Sequence, residues 1–260
     1  MPTGFKNVDL IQRRFTKIVD ASIKEILGSY LGREYQGIVK YHFLTGGKRL
    51  RPTLTVASCL MMGGKIRDVL YPASGLEIIH NYTLIIDDII DNSPLRRGKK
   101  TVWAKFGRSI AECVSLAFAA SAFQAASKTK EPEKLTELFA KTLKQVMQGE
   151  IKDVLFEQSG RTNEPYVVKN RNYKVTEKDY FRMVGGKTAA LFGTCCEVGA
   201  IAAKASLKEQ ALLRKYGYNL GLAFQIRDDI LDIFGNQATF GKVIGSDIME
   251  RKLGNIVILK

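Results

Sequence analysis

The chain has 260 residues, and its 45% content of hydrophobic residues excludes an intrinsically disordered protein while remaining typical of a globular one. Lysine and arginine together number 40, against 26 aspartates and glutamates, so the formal net charge of +14 favours anionic partners such as phosphorylated metabolites, nucleic acid or an acidic membrane surface. A nucleic-acid partner is not expected, because the basic residues are spread along the chain and do not form one tract with interleaved aromatics.

The spacing of apolar residues predicts an all-α fold, because they recur every three or four residues and alternating β-branched runs are nearly absent. The predicted helices, in chain order, span residues 9–38, 50–62, 68–91, 109–128, 132–159, 177–204, 207–234 and 245–260. Glycine pairs at 46–47 and 63–64 bound the second helix, and residues 160–175 are predicted to form a long surface loop. Because neither a linker nor a change of composition divides the chain, we expect one domain over residues 1–260.

The cysteines and the amino terminus bear on the cellular compartment. The chain has four cysteines, Cys59, Cys113, Cys195 and Cys196. They show neither a CxxC spacing nor a nearby histidine, and the adjacent pair Cys195 and Cys196 is poorly suited to a disulfide framework or a zinc site. We therefore expect small core residues in a reducing compartment. The first ten residues lack the apolar stretch of a secretion signal, and no run approaches the roughly 20 apolar residues that cross a bilayer. The sequence thus predicts a cytoplasmic protein without a transmembrane segment.

Two aspartate clusters of the same spacing lie in apolar helical stretches: Asp87, Asp88 and Asp91, then Asp228, Asp229 and Asp232. Removing a lone carboxylate from water costs on the order of several kcal/mol, so such clusters need cations to offset that cost. Residues four apart lie on one helix face, roughly 6 Å apart, so the first and last aspartates of a cluster can direct oxygens at one ion. Oxygen ligands without His or Cys favour Mg²⁺, completed by water and phosphate oxygens. The alternative, solvated acidic turns, is disfavoured by the repetition in apolar surroundings.

Basic residues supply a complement to these carboxylates. Lys48 and Arg51 lie one helical turn apart after Gly46 and Gly47, and a second basic run, residues 96–100, directly follows the first aspartate cluster. The planar fork of arginine matches two phosphate oxygens at once, whereas lysine acts as a point charge. A solvated basic surface is the alternative for either run alone. Together, the acidic clusters and basic runs indicate a site for a metal-bridged diphosphate.

Five segments carry a resemblance to a known family: GGKRLRP (46–52), EIIHNYTLIIDDIIDNSPLRRG (77–98), GKTAALF (186–192), GLAFQIRDDILDIFG (221–235) and GKVIGSDIMERK (241–252). In this order they resemble the trans isoprenyl diphosphate synthases, especially the short-chain archaeal geranylgeranyl diphosphate synthases. The resemblance implies a single-domain bundle of long, mostly antiparallel helices around a central apolar cavity, the isoprenoid synthase fold, and usually a homodimer. Because family members continue past the last segment, it also implies that C-terminal helices are missing from a chain that ends at Lys260.

The resemblance further implies a role for each matching position. The principal ligands of a cluster of about three magnesium ions would be Asp87, Asp91 and Asp228, with Asp88, Asp229 and Asp232 supporting them. The allylic diphosphate would be bound by Arg96, Lys187, Lys242 and Lys252, and isopentenyl diphosphate by Lys48, Arg51, His80 and Arg97. Oxygens of Thr188 and Gln225 would flank the reacting carbons. His80 lies seven residues before Asp87 on nearly the same helix face, which favours a ligand over a core histidine.

The implied reaction lengthens an allylic diphosphate of C5 to C15 by one five-carbon unit. Magnesium and basic side chains would stabilise the departing diphosphate, and the double bond of isopentenyl diphosphate would attack the allylic cation before a proton is lost. No Ser-His-Asp or Cys-His constellation is needed. A class I terpene cyclase is disfavoured by the second DDxxD cluster, and a non-catalytic subunit by the retention of all six aspartates.

Tyr82 is the residue predicted to limit the chain length of the product. It lies five residues before Asp87, about 7–8 Å along a helix axis at 1.5 Å per residue, where a bulky ring could form the floor of a pocket. With the small Thr83 beside it, Tyr82 matches the C20 pattern of the archaeal enzymes. A farnesyl (C15) or longer-chain synthase is the alternative, and Tyr82 could also be a core or dimer-contact aromatic.

Overall fold

The computed structural model describes residues 3–234, with side chains from residue 15 onward. The helices in this range are α1 (Thr3–Gly28), α2 (Arg33–Phe43), α3 (Leu50–Met61), α4 (Ile66–Ile90), α5 (Val102–Phe106), α6 (Arg108–Ser127), α7 (Pro132–Phe156), α8 (Pro165–Asn170), α9 (Glu177–Val184), α10 (Ala190–Ala202) and α11 (Leu207–Phe234). Between α4 and α5 lies a short antiparallel hairpin of β1 (Leu95–Arg96) and β2 (Lys99–Lys100). The predicted all-α class is confirmed, whereas the predicted helix 245–260 lies outside the described residues.

Three predicted boundaries are wrong, each for a local reason. The predicted helix 9–38 is two helices, because α1 ends at Gly28 and Tyr30 follows in the left-handed region with φ 59°. The predicted loop 160–175 contains α8, whose first turn holds Pro165, a position at which proline loses no helical hydrogen bond. The predicted helix 177–204 is interrupted by a π-helical turn, Gly185–Ala189, between α9 and α10.

The described residues form two compact units. Unit 1 comprises residues 3–140 and 195–214, and unit 2 comprises residues 141–194 and 215–234. Each unit has hydrophobic side chains in its interior, such as Val56, Cys59 and Val69 in unit 1 and Phe156 and Met183 in unit 2. The single domain expected from the sequence stays a prediction.

In unit 1, α4 packs against α1, α3 and α6 and carries the first aspartate cluster. Gly75 allows its close approach to neighbouring helices, because a Cβ atom there would lie 3.0 Å from Ala125 Cβ on α6 and 2.7 Å from Phe139 Cε2 on α7. The middle of α4, including Pro72, is buried, and the helix becomes partly accessible towards both ends, including the C-terminal part that carries the aspartates. This burial pattern places the charged end of the helix at the edge of an apolar interior.

One described helix, α6, is long and apolar enough to cross a membrane by length and composition. The expectation that the chain has no transmembrane segment stays a prediction, because α6 meets this test by length and composition only. Core helices of soluble proteins pass the same test. In unit 1, α6 packs against α4 and α5, so length and hydropathy alone do not assign it to a membrane.

Candidate active site

The first aspartate cluster lies at the C-terminal end of α4. Asp87 and Asp88 occupy the last turn of the helix, and Asp91 is its C-terminal capping residue, with φ −83° and ψ 0°. The C-terminal end of a helix carries partial negative charge, so three carboxylates there are unfavourable unless cations lie nearby. The adjoining hairpin supplies such cations.

Arg96 on β1 is the direct partner of Asp88. Its Nε donates a 2.7 Å hydrogen bond to Asp88 Oδ1, and the Asp88 side chain is almost completely buried. Burial raises the pKa of Asp88 to about 6, because it outweighs the opposing effect of the Arg96 charge. Asp88 Oδ2 is buried and has no hydrogen-bond partner among the residues that the structure describes. A buried carboxylate oxygen of this kind fits the oxygen ligand set of a magnesium ion.

The predicted isopentenyl diphosphate residues all belong to unit 1. Arg97 has φ 54° and donates from Nη1 to the carbonyl oxygen of Gly46, so the hairpin is fastened to the loop that carries Lys48. Burial lowers the pKa of His80 well below its ordinary value, and the charges of Arg51 and Arg97 lower it further. Arg51, Arg97 and His80 are therefore close enough to interact electrostatically, and His80 is neutral at pH 7.

Two charged residues of unit 1 were missed as functional residues in the sequence. Arg49 lies between two predicted ligands, yet only 5% of its surface is exposed, and it is ion-paired with Glu77 on α4. Glu77 could have been recognised in the sequence, because it is a lone acidic residue in the apolar part of a predicted helix, three positions before His80. Such a charge requires a buried partner.

The second aspartate cluster lies near the end of α11 in unit 2, and Asp229 is the centre of a hydrogen-bond network there. Its Oδ1 accepts a 2.8 Å bond from Gln225 Nε2, and its Oδ2 accepts a 2.7 Å bond from the hydroxyl of Tyr180 on α9. Gln225 Oε1 in turn accepts a 2.8 Å bond from Thr188 Oγ1. The two residues predicted to flank the reacting carbons thus contact each other, and Asp229 orients them. Tyr180 gave no signal in the sequence.

Lys187, predicted to bind the allylic diphosphate, is held by two carboxylates of α7. Its Nζ lies 2.6 Å from Asp153 Oδ2 and 2.7 Å from Glu150 Oε2, and neither carboxylate was singled out in the sequence. The π-helical turn that carries Lys187 lies against α7 through glycines: a Cβ atom at Gly149 would be 2.1 Å from the Lys187 backbone nitrogen. π-helical turns are frequent at functional sites, which agrees with the placement of Lys187.

The remaining predicted residues are placed as follows. On α11, Asp228 is half-buried and Asp232 is buried. On α4, Tyr82 is half-buried and Thr83 Oγ1 donates a 2.8 Å bond to the His80 carbonyl oxygen. Lys242 and Lys252 lie outside the described residues. In neither unit do three or more described Asp, Glu, His or Cys side chains form a group that could hold a metal ion. A bound ion would therefore need oxygens of water or substrate as further ligands.

Comparison with known proteins identifies the family. The polyprenyl synthetase family model matches residues 33–260. This chain belongs to the polyprenyl synthetase family. The chain is 37% identical to the short chain isoprenyl diphosphate synthase of Methanocaldococcus jannaschii, over 94% of its own length and 72% of that protein. It is 35% identical to the geranylgeranyl diphosphate synthase of Methanosarcina mazei, over 96% of this chain and 74% of that protein.

A solved structure supports the same assignment. The crystal structure of geranylgeranyl pyrophosphate synthetase from Pyrococcus horikoshii matches with a TM-score of 0.84 and 31% identity, over 96% of this chain and 75% of that one. The predictions of the family, of the isoprenoid synthase fold and of a transferase of the trans prenyl diphosphate synthase class are confirmed for this polyprenyl synthetase. The role of each site residue stays a prediction.

Proposed function

We propose that this polyprenyl synthetase is a magnesium-dependent enzyme that condenses isopentenyl diphosphate with allylic diphosphates of C5 to C15 to form geranylgeranyl diphosphate. The observation that carries the proposal is the end of α4, where a carboxylate cluster adjoins a hairpin bearing Arg96 and Arg97. A diphosphate needs both metal ligands and basic side chains, and unit 1 provides the two together. The names of the relatives in Methanosarcina mazei and Pyrococcus horikoshii favour a C20 product.

Each aspartate cluster would supply ligands to magnesium: Asp87, Asp88 and Asp91 on α4, and Asp228, Asp229 and Asp232 on α11. When bound, magnesium supplies positive charge that stabilises a departing diphosphate. The buried Asp88 Oδ2, for which residues 3–234 provide no hydrogen-bond partner, supports this assignment in unit 1. Asp229 would support the site mainly by orienting Gln225, since both of its oxygens accept hydrogen bonds within unit 2.

The side chains of unit 1 would bind the diphosphate of isopentenyl diphosphate. Arg51 and Arg97 would each offer a planar set of donors, and Lys48 would add a point charge. His80 is neutral because burial lowers its pKa, so it would donate one hydrogen bond without adding charge. Within unit 1, Arg96 would offer its guanidinium to the allylic diphosphate; Lys187, Lys242 and Lys252 stay predicted counterions from the sequence.

Unit 2 would act on the reacting carbons. An allylic cation is stabilised by oxygen dipoles whose orientation is fixed before the reaction. The Thr188–Gln225 hydrogen bond of 2.8 Å and the Gln225–Asp229 bond of 2.8 Å hold the Gln225 amide in one orientation. Gln225 Oε1 can accept a second interaction because a carbonyl oxygen has two lone pairs.

The proposal is tested by incubating the purified protein with labelled isopentenyl diphosphate and each of the C5, C10 and C15 allylic diphosphates, with and without magnesium. We expect magnesium-dependent formation of a C20 product. Asp87→Asn should lower the rate about a hundredfold or more, because it removes a predicted magnesium ligand and so weakens the positive charge that stabilises the departing diphosphate. The matched control is Asp68→Asn at the start of α4, where the carboxylate is ion-paired with Lys130 and lies far along the helix from the cluster.

The outcomes separate the candidate functions. A product that stops at C15 would show a farnesyl diphosphate synthase, and products beyond C20 a longer-chain enzyme. No condensation with any primer in the presence of magnesium would refute the proposal. We also propose that the protein is cytoplasmic and forms a homodimer. Light scattering of the purified protein would test the homodimer, and the exposed apolar side chains of Ile110 and Leu116 on α6 support a protein contact there.

A further inference from the structure

Arg49 differs from the basic residues around it because it is turned into the protein. Its side chain is only 4% exposed, whereas the neighbouring Lys48 is exposed. Arg49 is also the N-terminal capping residue of α3 and adopts the left-handed conformation, with φ 50° and ψ 36°. A residue with a Cβ atom is strained in this region, so the surroundings must hold it there.

The guanidinium of Arg49 has partners on several elements of unit 1. Its Nε donates a 2.7 Å bond to Asp20 Oδ1 on α1, and its Nη1 donates a 3.3 Å bond to Glu77 Oε1 on α4. Its Nη1 also donates to the Gly46 carbonyl oxygen at 3.3 Å, and the guanidinium carbon lies 4.1 Å from the centre of the Phe43 ring at the end of α2. One side chain therefore ties α1, α2, α4 and the loop before α3 together.

Glu77 is the buried counterpart of Arg49. It is 3% exposed, and burial raises its pKa while the charges of Arg49 and Arg51 oppose that effect. Asn81 Nδ2 donates a further 3.2 Å bond to Glu77 Oε1. Because a buried charge without its partner is strongly unfavourable, the positions of Arg49 and Glu77 depend on each other. Glu77 also precedes His80 by one helical turn, so the ion pair lies beside the predicted diphosphate residues.

The loop itself is enclosed by two guanidinium groups. The Gly46 carbonyl oxygen accepts hydrogen bonds from both Arg49 Nη1 and Arg97 Nη1. A Cβ atom at Gly47 would lie 2.6 Å from Arg49 Nη1 and 3.1 Å from Arg97 Nη1, so a side chain at this position would displace one of them. The position of Arg97 thus depends on the loop, and the position of the loop depends on Arg49.

We propose that Arg49, anchored by Glu77, is a positioning residue that fixes the Gly46–Gly47 loop so that Lys48, Arg51 and Arg97 are preorganised for the diphosphate of isopentenyl diphosphate. This inference rests on the proposed function. Arg49 does not touch the substrate: its donors are directed to Asp20, Glu77 and backbone carbonyls. A loop that is ordered before binding avoids the entropy loss of ordering it on binding. The effect of losing Arg49 should therefore fall on isopentenyl diphosphate and spare the allylic substrate.

The test compares the KM for each substrate in Arg49→Met, Arg49→Lys and Glu77→Gln with the wild-type values. We expect Arg49→Met to raise the KM for isopentenyl diphosphate about tenfold or more and to change the KM for the allylic diphosphate less than about twofold. Arg49→Lys should fail to restore the KM, because an ammonium group lacks the planar fork that reaches several partners at once. Glu77→Gln keeps the size of the side chain and should have a smaller effect in the same direction.

The control is Arg214→Met, which removes the partly buried Arg214–Glu197 ion pair elsewhere in unit 1. It should lower thermal stability without separating the two KM values. If Arg49→Met and Glu77→Gln raise both KM values equally, or leave the KM for isopentenyl diphosphate unchanged, the inference is wrong. Should Arg49→Met fail to fold, the KM values of Glu77→Gln decide.

A separate measurement distinguishes failure of this inference from failure of the proposed function. Isothermal titration calorimetry with isopentenyl diphosphate alone, without an allylic substrate, reports the organisation of the basic residues without requiring condensation. Weaker binding to Arg49→Met than to the wild type and Arg214→Met supports the inference even if the wild type forms no prenyl product. Equal binding to all three proteins refutes it.

Discussion

Gly149→Ala tests the close contact between α7 and the π-helical turn that carries Lys187. A Cβ atom at position 149 would lie 2.1 Å from the Lys187 backbone nitrogen and 2.7 Å from the Lys187 Cα atom. Ordinary contact at a Cβ atom begins at 3.4 Å, so the two backbones would have to separate by about 1.3 Å in that direction. Neither contact is with a flexible side chain, so the displacement cannot be absorbed by a change of rotamer.

The displacement should affect both stability and catalysis. Overpacking of this kind costs about 1–3 kcal/mol, which corresponds to a decrease of about 2–6 °C in Tm for a chain of this size. The 2.6 Å and 2.7 Å contacts of Lys187 with Asp153 and Glu150 would lengthen or break. Since a misplacement of about 1 Å at a reacting centre can reduce the rate about a hundredfold, we expect kcat to fall by about tenfold to a hundredfold.

The assay is thermal unfolding by circular dichroism together with steady-state condensation kinetics. Gly37→Ala is the matched control, because a Cβ atom at this exposed position of α2 meets nothing within 4 Å. Alanine has the higher helix propensity, so the control should be neutral or more stable by up to about 1 kcal/mol. A Gly149→Ala protein with the Tm and kcat of the control would refute the reasoning.

Three further predictions concern the pocket floor, a buried histidine and the thiols. Tyr82→Ala should yield products longer than C20, as measured by chromatography of the dephosphorylated products, and an unchanged product length would remove Tyr82 from the pocket floor. Burial, assisted by the charge of Arg96, lowers the pKa of His42 from 6.5 to about 3, so the unfolded chain binds a proton first as the pH falls. The part of the folding free energy that is linked to His42 is therefore fully present above about pH 6.5 and is lost progressively below it, by about 2 kcal/mol at about pH 5. His42→Gln should abolish this part of the pH dependence in urea unfolding, and an equal loss in wild type and variant would contradict it. Cys113 is exposed, whereas burial raises the pKa of Cys195 to about 12 and the other two thiols are also buried. A thiol reagent should therefore label about one cysteine per native chain within minutes, and rapid labelling of several would show that the interior is accessible.

Much of the local structure could be predicted from the sequence, because helix formation depends on a repeating pattern of neighbouring residues. The three-to-four-residue spacing of apolar side chains predicted α4 and α11, and the same pattern made the aspartates within them conspicuous. The break between α1 and α2 was missed, since it depends on the left-handed backbone at Tyr30 rather than on hydrophobic spacing. The π-helical turn was also missed, since the sequence prediction treated residues 177–204 as one continuous helix.

The sequence by itself determined the family, the helical class and the identity of the charged residues, since these follow from residue types and their spacing. Only the tertiary structure decided how each charge is used. Lys48 and Arg49 are adjacent in sequence, yet Lys48 is exposed and Arg49 is buried against Asp20 and Glu77, which lie 29 and 28 residues away. The partner of a buried charge is chosen by packing between distant segments, and the free energy of that pairing is absent from any local pattern.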